Sequence, residues 1–145
     1  MESRIQIDQL QPEAYKAMMA LEGYLAKSEL TPTHKELIKI RASQLNGCAF
    51  CINMHTRDAL RQGEDQQRIF LLDAWRETML YTPEEQAILA LTEEITLIRE
   101  KGLSNDTYKR ALEVLSASYL AQVIMAITTI NAWNRIAIST HKPLD

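Results

Sequence analysis

From Ser118 to Ile138 the chain is apolar on nearly every side of a helix, with Leu120, Val123, Ile124, Ile127, Ile130 and Trp133 spread around its circumference. A helix without a solvent face is buried on most sides, by other helices of the chain or by another subunit. The longest apolar runs, such as Val123 to Ile127, are far too short to span a bilayer. The segment therefore demands a bundle, with itself as the central or subunit-facing helix.

The rest of the chain can supply that bundle. Only four glycines and four prolines occur in 145 residues, no Val/Ile/Thr run alternates over strand length, and apolar residues recur at three and four. The expectation is an all-α bundle of about six to seven helices, one domain over residues 1–145, whose 46% hydrophobic content can build a sizeable core.

The spacing predicts a first helix from Pro12 to about Ala26, with Tyr15, Met18, Met19, Leu21 and Leu25 apolar. A second begins near Thr33, where Thr33-His34-Lys35-Glu36 has the capping-box pattern, and runs to about Leu45 before Asn46-Gly47 breaks the chain. The next spans about Cys48 to Gln62, and Gly63 is placed to supply a left-handed stop. Asp65 to Met79 makes a fourth, with Ile69, Leu72 and Trp75 inward. Thr82-Pro83-Glu84-Glu85 joins an N-cap, a proline at N1 and an acid at N3, starting a fifth helix that ends at Gly102. Ser104 or Asn105 caps a short sixth through about Leu115.

Charge and termini narrow the function. A net charge of −3 with interspersed signs, and no basic block beyond pairs such as Lys109-Arg110, leaves no footprint for nucleic acid. The first ten residues lack the apolar core of a secretion signal, so a cytoplasmic protein with no membrane partner is expected. In a reducing compartment a CxxC pair is catalytic or metal-binding rather than a staple.

Both cysteines stand in Cys48-Ala49-Phe50-Cys51, and His55 follows. At about 100° per residue Cys48, Cys51 and His55 fall within roughly 60° of one another, while Asn53, Arg57 and Arg61 take the opposite face. The Asn46-Gly47 turn makes the cysteines early-turn residues, where the helix dipole and free N–H groups favour a thiolate. Cys48 gains more from the dipole and Cys51 more from the imidazole four residues on, so either could be the nucleophile. If the two helices form an antiparallel pair about Asn46, Glu36 and His55 are level across it, and Glu36, on one stripe with Ile40 and Ser43, can orient the imidazole. A dithiol with its own acid–base relay implies redox chemistry.

Blander readings apply elsewhere. Cys48, Cys51, His55 and Glu36 are four possible ligands of types that zinc accepts. Three of them on one helix, without a second CxxC, match structural zinc poorly, and no metal is assigned. Glu36 alone reads as the N3 acid of its cap, His34 and His141 as solvated surface residues, and the methionines as core filler. Asn131, Asn134 and Arg135, interrupting the apolar helix, read as structural hydrogen-bonding groups.

Glu36, then Ser43-Gln44-Leu45-Asn46-Gly47-Cys48-Ala49-Phe50-Cys51, then His55, Ala59 and Gly63 together resemble the AhpD-like alkylhydroperoxidases of the carboxymuconolactone decarboxylase superfamily. Thr82 to Ala90 and Asn131-Ala132-Trp133-Asn134-Arg135 are similar to segments of its short, single-unit members. The resemblance implies an AhpD-like helical bundle assembled as a homo-trimer or homo-hexamer. It implies a peroxidatic Cys51 that attacks a hydroperoxide, Cys48 resolving to a disulfide, and His55 and Glu36 relaying protons. It further implies a dihydrolipoyl or thioredoxin-like reductant and no bound cofactor. Two features depart from the best-known peroxidases: Phe50 stands where some carry histidine, and those chains are longer, with two helical units. The lactone decarboxylases generally lack the CxxC, so decarboxylation fits poorly. The other classes left are a redox-responsive regulatory or binding oligomer and a metal-binding protein.

Overall fold

The structure, a computed structural model, describes residues 1–144. The apolar segment forms α9, Ala117–Ser139, begun by Ser116, whose hydroxyl accepts from the Tyr119 N–H. Against it pack α3, Pro32–Asn46, and α6, Pro83–Thr96, which also pack on each other. The larger core lies among these three, where Val123, Ile127 and Ile130 of α9 meet Ile38, Ala42, Ile88 and Leu91. Full burial of one such side chain contributes about 1.5–3 kcal/mol.

Around this centre, α2 (Pro12–Lys27) lies against α9, α4 (Ala49–Arg61) runs back along α3, and α8 (Asn105–Val114) covers α6. A short α1, Ile7–Leu10, precedes α2 and has no sequence signal of its own. The described residues contain helices and no strand, as expected, and none of the helices is long and apolar enough to cross a membrane.

The predicted helices differ from the observed ones where local chemistry favours a break. Asp65 to Met79 is not one helix but α5, Gln66–Phe70, followed by a 3₁₀ segment, Leu72–Glu77, with a non-helical Ala74. Ile69, Leu72 and Trp75 do face inward, and their spacing of three is the 3₁₀ period rather than the α period. The helix expected to reach Gly102 stops at Thr96, and α7, Ile98–Lys101, restarts beyond Leu97. The break lets Glu94 accept from the Ser104 N–H and hydroxyl and from the Thr107 hydroxyl, tying α6 to the start of α8.

The start of α3 is also corrected. Thr31, not Thr33, is its N-cap: the Thr31 hydroxyl accepts from the His34 N–H at 3.1 Å, and Pro32 fills N1, where its missing N–H costs nothing. Glu36 is thereby released from any capping duty. His34 is half-buried rather than solvated, with Nδ1 2.7 Å from the Tyr119 hydroxyl, and burial holds its pKa below the ordinary value. His141 is likewise engaged, its Nδ1 2.9 Å from the Glu2 carbonyl oxygen. The methionines are not core filler: Met1, Met19, Met79 and Met125 are exposed, and Met18 and Met54 are half-buried.

Candidate active site

The site is built on the turn from α3 to α4. Gly47 takes φ +69°, a left-handed conformation that closes α3 and that other residues adopt only at a cost. The turn delivers Cys48 as the N-cap of α4, where its Sγ accepts from the Cys51 N–H at 3.3 Å. Cys48 and Cys51 are joined as a disulfide. Both are almost wholly enclosed, at 1% and 2% exposure.

A polar network pins the turn from the side of α9. The Asn46 amide donates to Oδ1 of Asn131 at 2.9 Å and to Oδ1 of Asn134 at 2.8 Å. The Asn134 amide donates to the Ser43 hydroxyl at 3.0 Å, and the Asn131 amide to the Thr96 hydroxyl at 3.0 Å. Asn134 has no exposed surface, so these bonds replace the water it has lost. The structural role read for Asn131 and Asn134 is the observed one.

Glu36, Ile40 and Ser43 do form one buried stripe of α3. From it, Glu36 Oε2 comes within 3.3 Å of His55 Nδ1, both side chains 9% exposed. Among the described residues neither atom has a hydrogen-bond partner, so each depends on this ion pair. With Nδ1 turned to the carboxylate, Nε2 is the nitrogen left for chemistry on the other side of the ring. The predicted set of Cys48, Cys51, His55 and Glu36 is thus gathered on one side of the α3–α4 pair.

Cys51 and His55 open onto a cavity of about 330 Å³, whereas Cys48 and Glu36 do not line it. Its wall is mainly apolar, formed by Tyr15 and Met19 of α2, Phe50 and Met54 of α4, and Trp133 and Ile136 of α9. Tyr15 and Trp133 meet edge to face with centroids 5.4 Å apart, and the Trp133 indole N–H donates to Glu22 at 3.0 Å. Residues Gln6 to Asp8 close one side. Sequence reasoning missed this wall; its available signal was the Tyr15, Met19 and Glu22 face of α2, a helix that buries only Leu25 in the core.

A zinc set that includes both cysteines is incompatible with this state, since each sulfur is spent in the S–S bond. Among the described residues, metal-capable atoms gather only at Glu36, His55 and Asp58, within 4.8 Å. The Asp58 carboxylate is paired outward with Arg61 at 3.3 Å, which leaves Glu36 and His55 as an acid–base pair.

Comparison with known proteins agrees with the geometry. Residues 12–94 match the model of the carboxymuconolactone decarboxylase family. An uncharacterised Bacillus subtilis protein, YdfG, is 46% identical over 139 residues, covering 96% of this chain and 95% of that one. A crystal structure from Agrobacterium tumefaciens, of a protein of unknown function suggested to be the antioxidant defence protein AhpD, superposes with TM-score 0.96 at 38% identity, covering 99% of each chain. An uncharacterised peroxidase-related protein from Silicibacter shares the fold at TM-score 0.82 and 18% identity, over 93% of this chain and 72% of that one. The chain therefore belongs to the carboxymuconolactone decarboxylase family, as an AhpD-like member.

Proposed function

We propose that this protein is a two-cysteine, thiol-dependent alkyl hydroperoxidase. One observation carries the reading: Cys51, backed by the buried His55–Glu36 pair, is the cysteine of the two that meets the apolar cavity.

In the reduced protein His55 takes the Cys51 proton. The thiolate attacks the outer oxygen of ROOH, an S–O bond forms as the O–O bond breaks, and His55 returns the proton to the departing alkoxide to give ROH. Glu36 steadies the imidazolium in between. The Cys48 sulfur then attacks the Cys51 sulfenic acid, water leaves, and the disulfide closes. Reduction starts with an external dithiol attacking Cys51. Cys48 departs as a thiolate at the helix N-terminus, where the Cys51 N–H stabilises it.

The enclosure of both sulfurs favours a slender dihydrolipoyl arm over a thioredoxin-like surface as reductant. The chemistry needs no bound cofactor, and a cytoplasmic setting would keep such dithiols reduced. Assembly into a trimer or hexamer is part of the same reading; exposed Ile98, Tyr108, Leu112 and Met125 support it.

The burial of the disulfide also favours a second reading, a slow redox-responsive regulator. One assay separates the two: cumene hydroperoxide consumption with dihydrolipoamide or thioredoxin, using wild type, Cys51→Ser and Cys48→Ser. Sustained turnover lost in both variants is expected. Turnover retained in Cys51→Ser would sink the peroxidase assignment, and one oxidation event without turnover would favour the regulator.

A further inference from the structure

Lys39 stands one helical turn beyond Glu36 on α3 and had no role in the reading of the sequence. Its Nζ lies 3.9 Å from Glu36 Oε1 and 3.8 Å from Glu22 Oε2 of α2. These are ion-pair separations, too long for hydrogen bonds. The side chain is 14% exposed, and it lines the cavity together with Cys51 and His55.

The charges around the site make this position consequential. Glu22 faces it from α2, Lys35, Glu36 and Lys39 from α3, and His55 and Asp58 from α4. Asp8 of α1 and Lys142 beyond α9 also line the cavity. Asp58 is held by Arg61, and Asp8 pairs with Lys142 at 4.0 Å. Lys35 and Arg68 each share a recess with Glu36, Arg68 there being paired with Glu64 and Glu85, and neither cation lines the cavity. Lys39 is therefore the cation that touches both the relay carboxylate and the space in front of the sulfur. Glu36 is bracketed, with the imidazole at Oε2 and the ammonium at Oε1.

We propose that Lys39 is a positioning residue of the dithiol site: its ammonium pairs with the Glu36 carboxylate that faces His55 and supplies the positive potential under which the Cys51 thiolate forms. The proposal rests on Cys51, His55 and Glu36 being the reacting set. It adds that an unreacting lysine sets the pH range over which they work.

The test follows the thiolate without peroxide. Reduced full-length protein carrying Cys48→Ser, so that one thiol reports, is alkylated with iodoacetamide across pH 5–10, alone and with Lys39→Met, Lys39→Gln, Lys39→Arg or Glu22→Gln. With the ammonium gone, alkylation at pH 7 should slow about three- to tenfold, and the midpoint of the profile should move to higher pH. Lys39→Arg should restore the midpoint. Glu22→Gln loosens the same α2–α3 contact but leaves the ammonium in place, so its midpoint should stay or fall.

A purely structural role predicts that Glu22→Gln and Lys39→Met shift together; that result, or an unmoved midpoint in Lys39→Met and Lys39→Gln, would overturn the proposal. Because alkylation needs no hydroperoxide, a shift in a protein that never turns over peroxide would uphold Lys39 and remove the peroxidase reading instead. Normal peroxide turnover with unmoved midpoints would remove Lys39 alone.

Discussion

Glu36 Oε2 stands 3.3 Å from Nδ1 of His55, and among the described residues neither atom has another partner. A buried carboxylate and imidazole so placed fix which ring nitrogen faces the carboxylate, leaving the other for the thiol. Glu36→Gln keeps the shape and removes the charge. Hydroperoxide consumption should fall about 100-fold in kcat/KM, within the range expected for a proton-transfer group. Near-wild-type turnover in a folded variant would exclude Glu36 from the relay.

The Asn46–Asn134–Ser43 bonds predict a stability effect from a residue outside the chemistry. Asn134→Ala leaves the Asn46 amide short of one acceptor and the Ser43 hydroxyl short of its donor in a buried place. Each group stripped of its partner costs about 1–3 kcal/mol. Urea denaturation should show a loss of about 2–6 kcal/mol for the two groups, and Asn46→Ala combined with Asn134→Ala should lose less than the sum of the two singles. Strict additivity would mean that the residues do not act as one network.

These two relationships differ in how far a sequence can disclose them. The level of Glu36 with His55 follows from helix rise and one tight turn, because both residues belong to adjacent helices in a hairpin. The cross-helix partners of Asn131 and Asn134 lie 35 to 91 residues away, on α6 and α3, so only the need for a partner was legible. The cavity wall combines α2, α4 and α9, and no periodicity marks a gap between helices. The 3₁₀ segment and the break at Leu97 escaped because three-residue spacing of apolar groups fits both helix types over a short stretch, and because Glu94 is drawn to a distant cap. His34 was misread because its neighbours in sequence are polar while its neighbour in space is Tyr119.

His34 gives a pH prediction with a defined sign. Burial lowers its folded pKa below the ordinary 6.5, with Glu85 and Glu84 opposing the shift. The unfolded chain therefore binds the proton more readily. His34 contributes stability that is fully present above pH 6.5 and is lost as the pH falls through its lower folded pKa. Thermal melts from pH 7.5 to 5 should show Tm falling in wild type and falling less in His34→Gln. Parallel curves would show that the imidazole titrates alike in both states.

Arg68 supplies the last test, through a charge cluster that holds α5 to the start of α6. Its guanidinium is hydrogen-bonded to Glu85, to the Leu80 carbonyl oxygen and to Glu64, the last at 2.9 Å, and it lies over the Tyr81 ring. Glu85 is 4% exposed and also closes the capping box with Thr82. Burial pushes its carboxyl up, but hydrogen bonds from Arg68 and Thr82 outweigh that and hold it below the ordinary 4.5. Arg68→Met would strand the carboxylate, and breaking a buried pair on one side costs about 3–5 kcal/mol. The depressed folded pKa means that the contribution of the pair is present above pH 4.5 and disappears as the pH falls through the folded value. Urea midpoints should therefore separate widely between wild type and Arg68→Met at pH 7 and converge as the pH is taken progressively below 4.5. A separation that stayed constant across this range would assign the loss to packing of the arginine stem rather than to its charge.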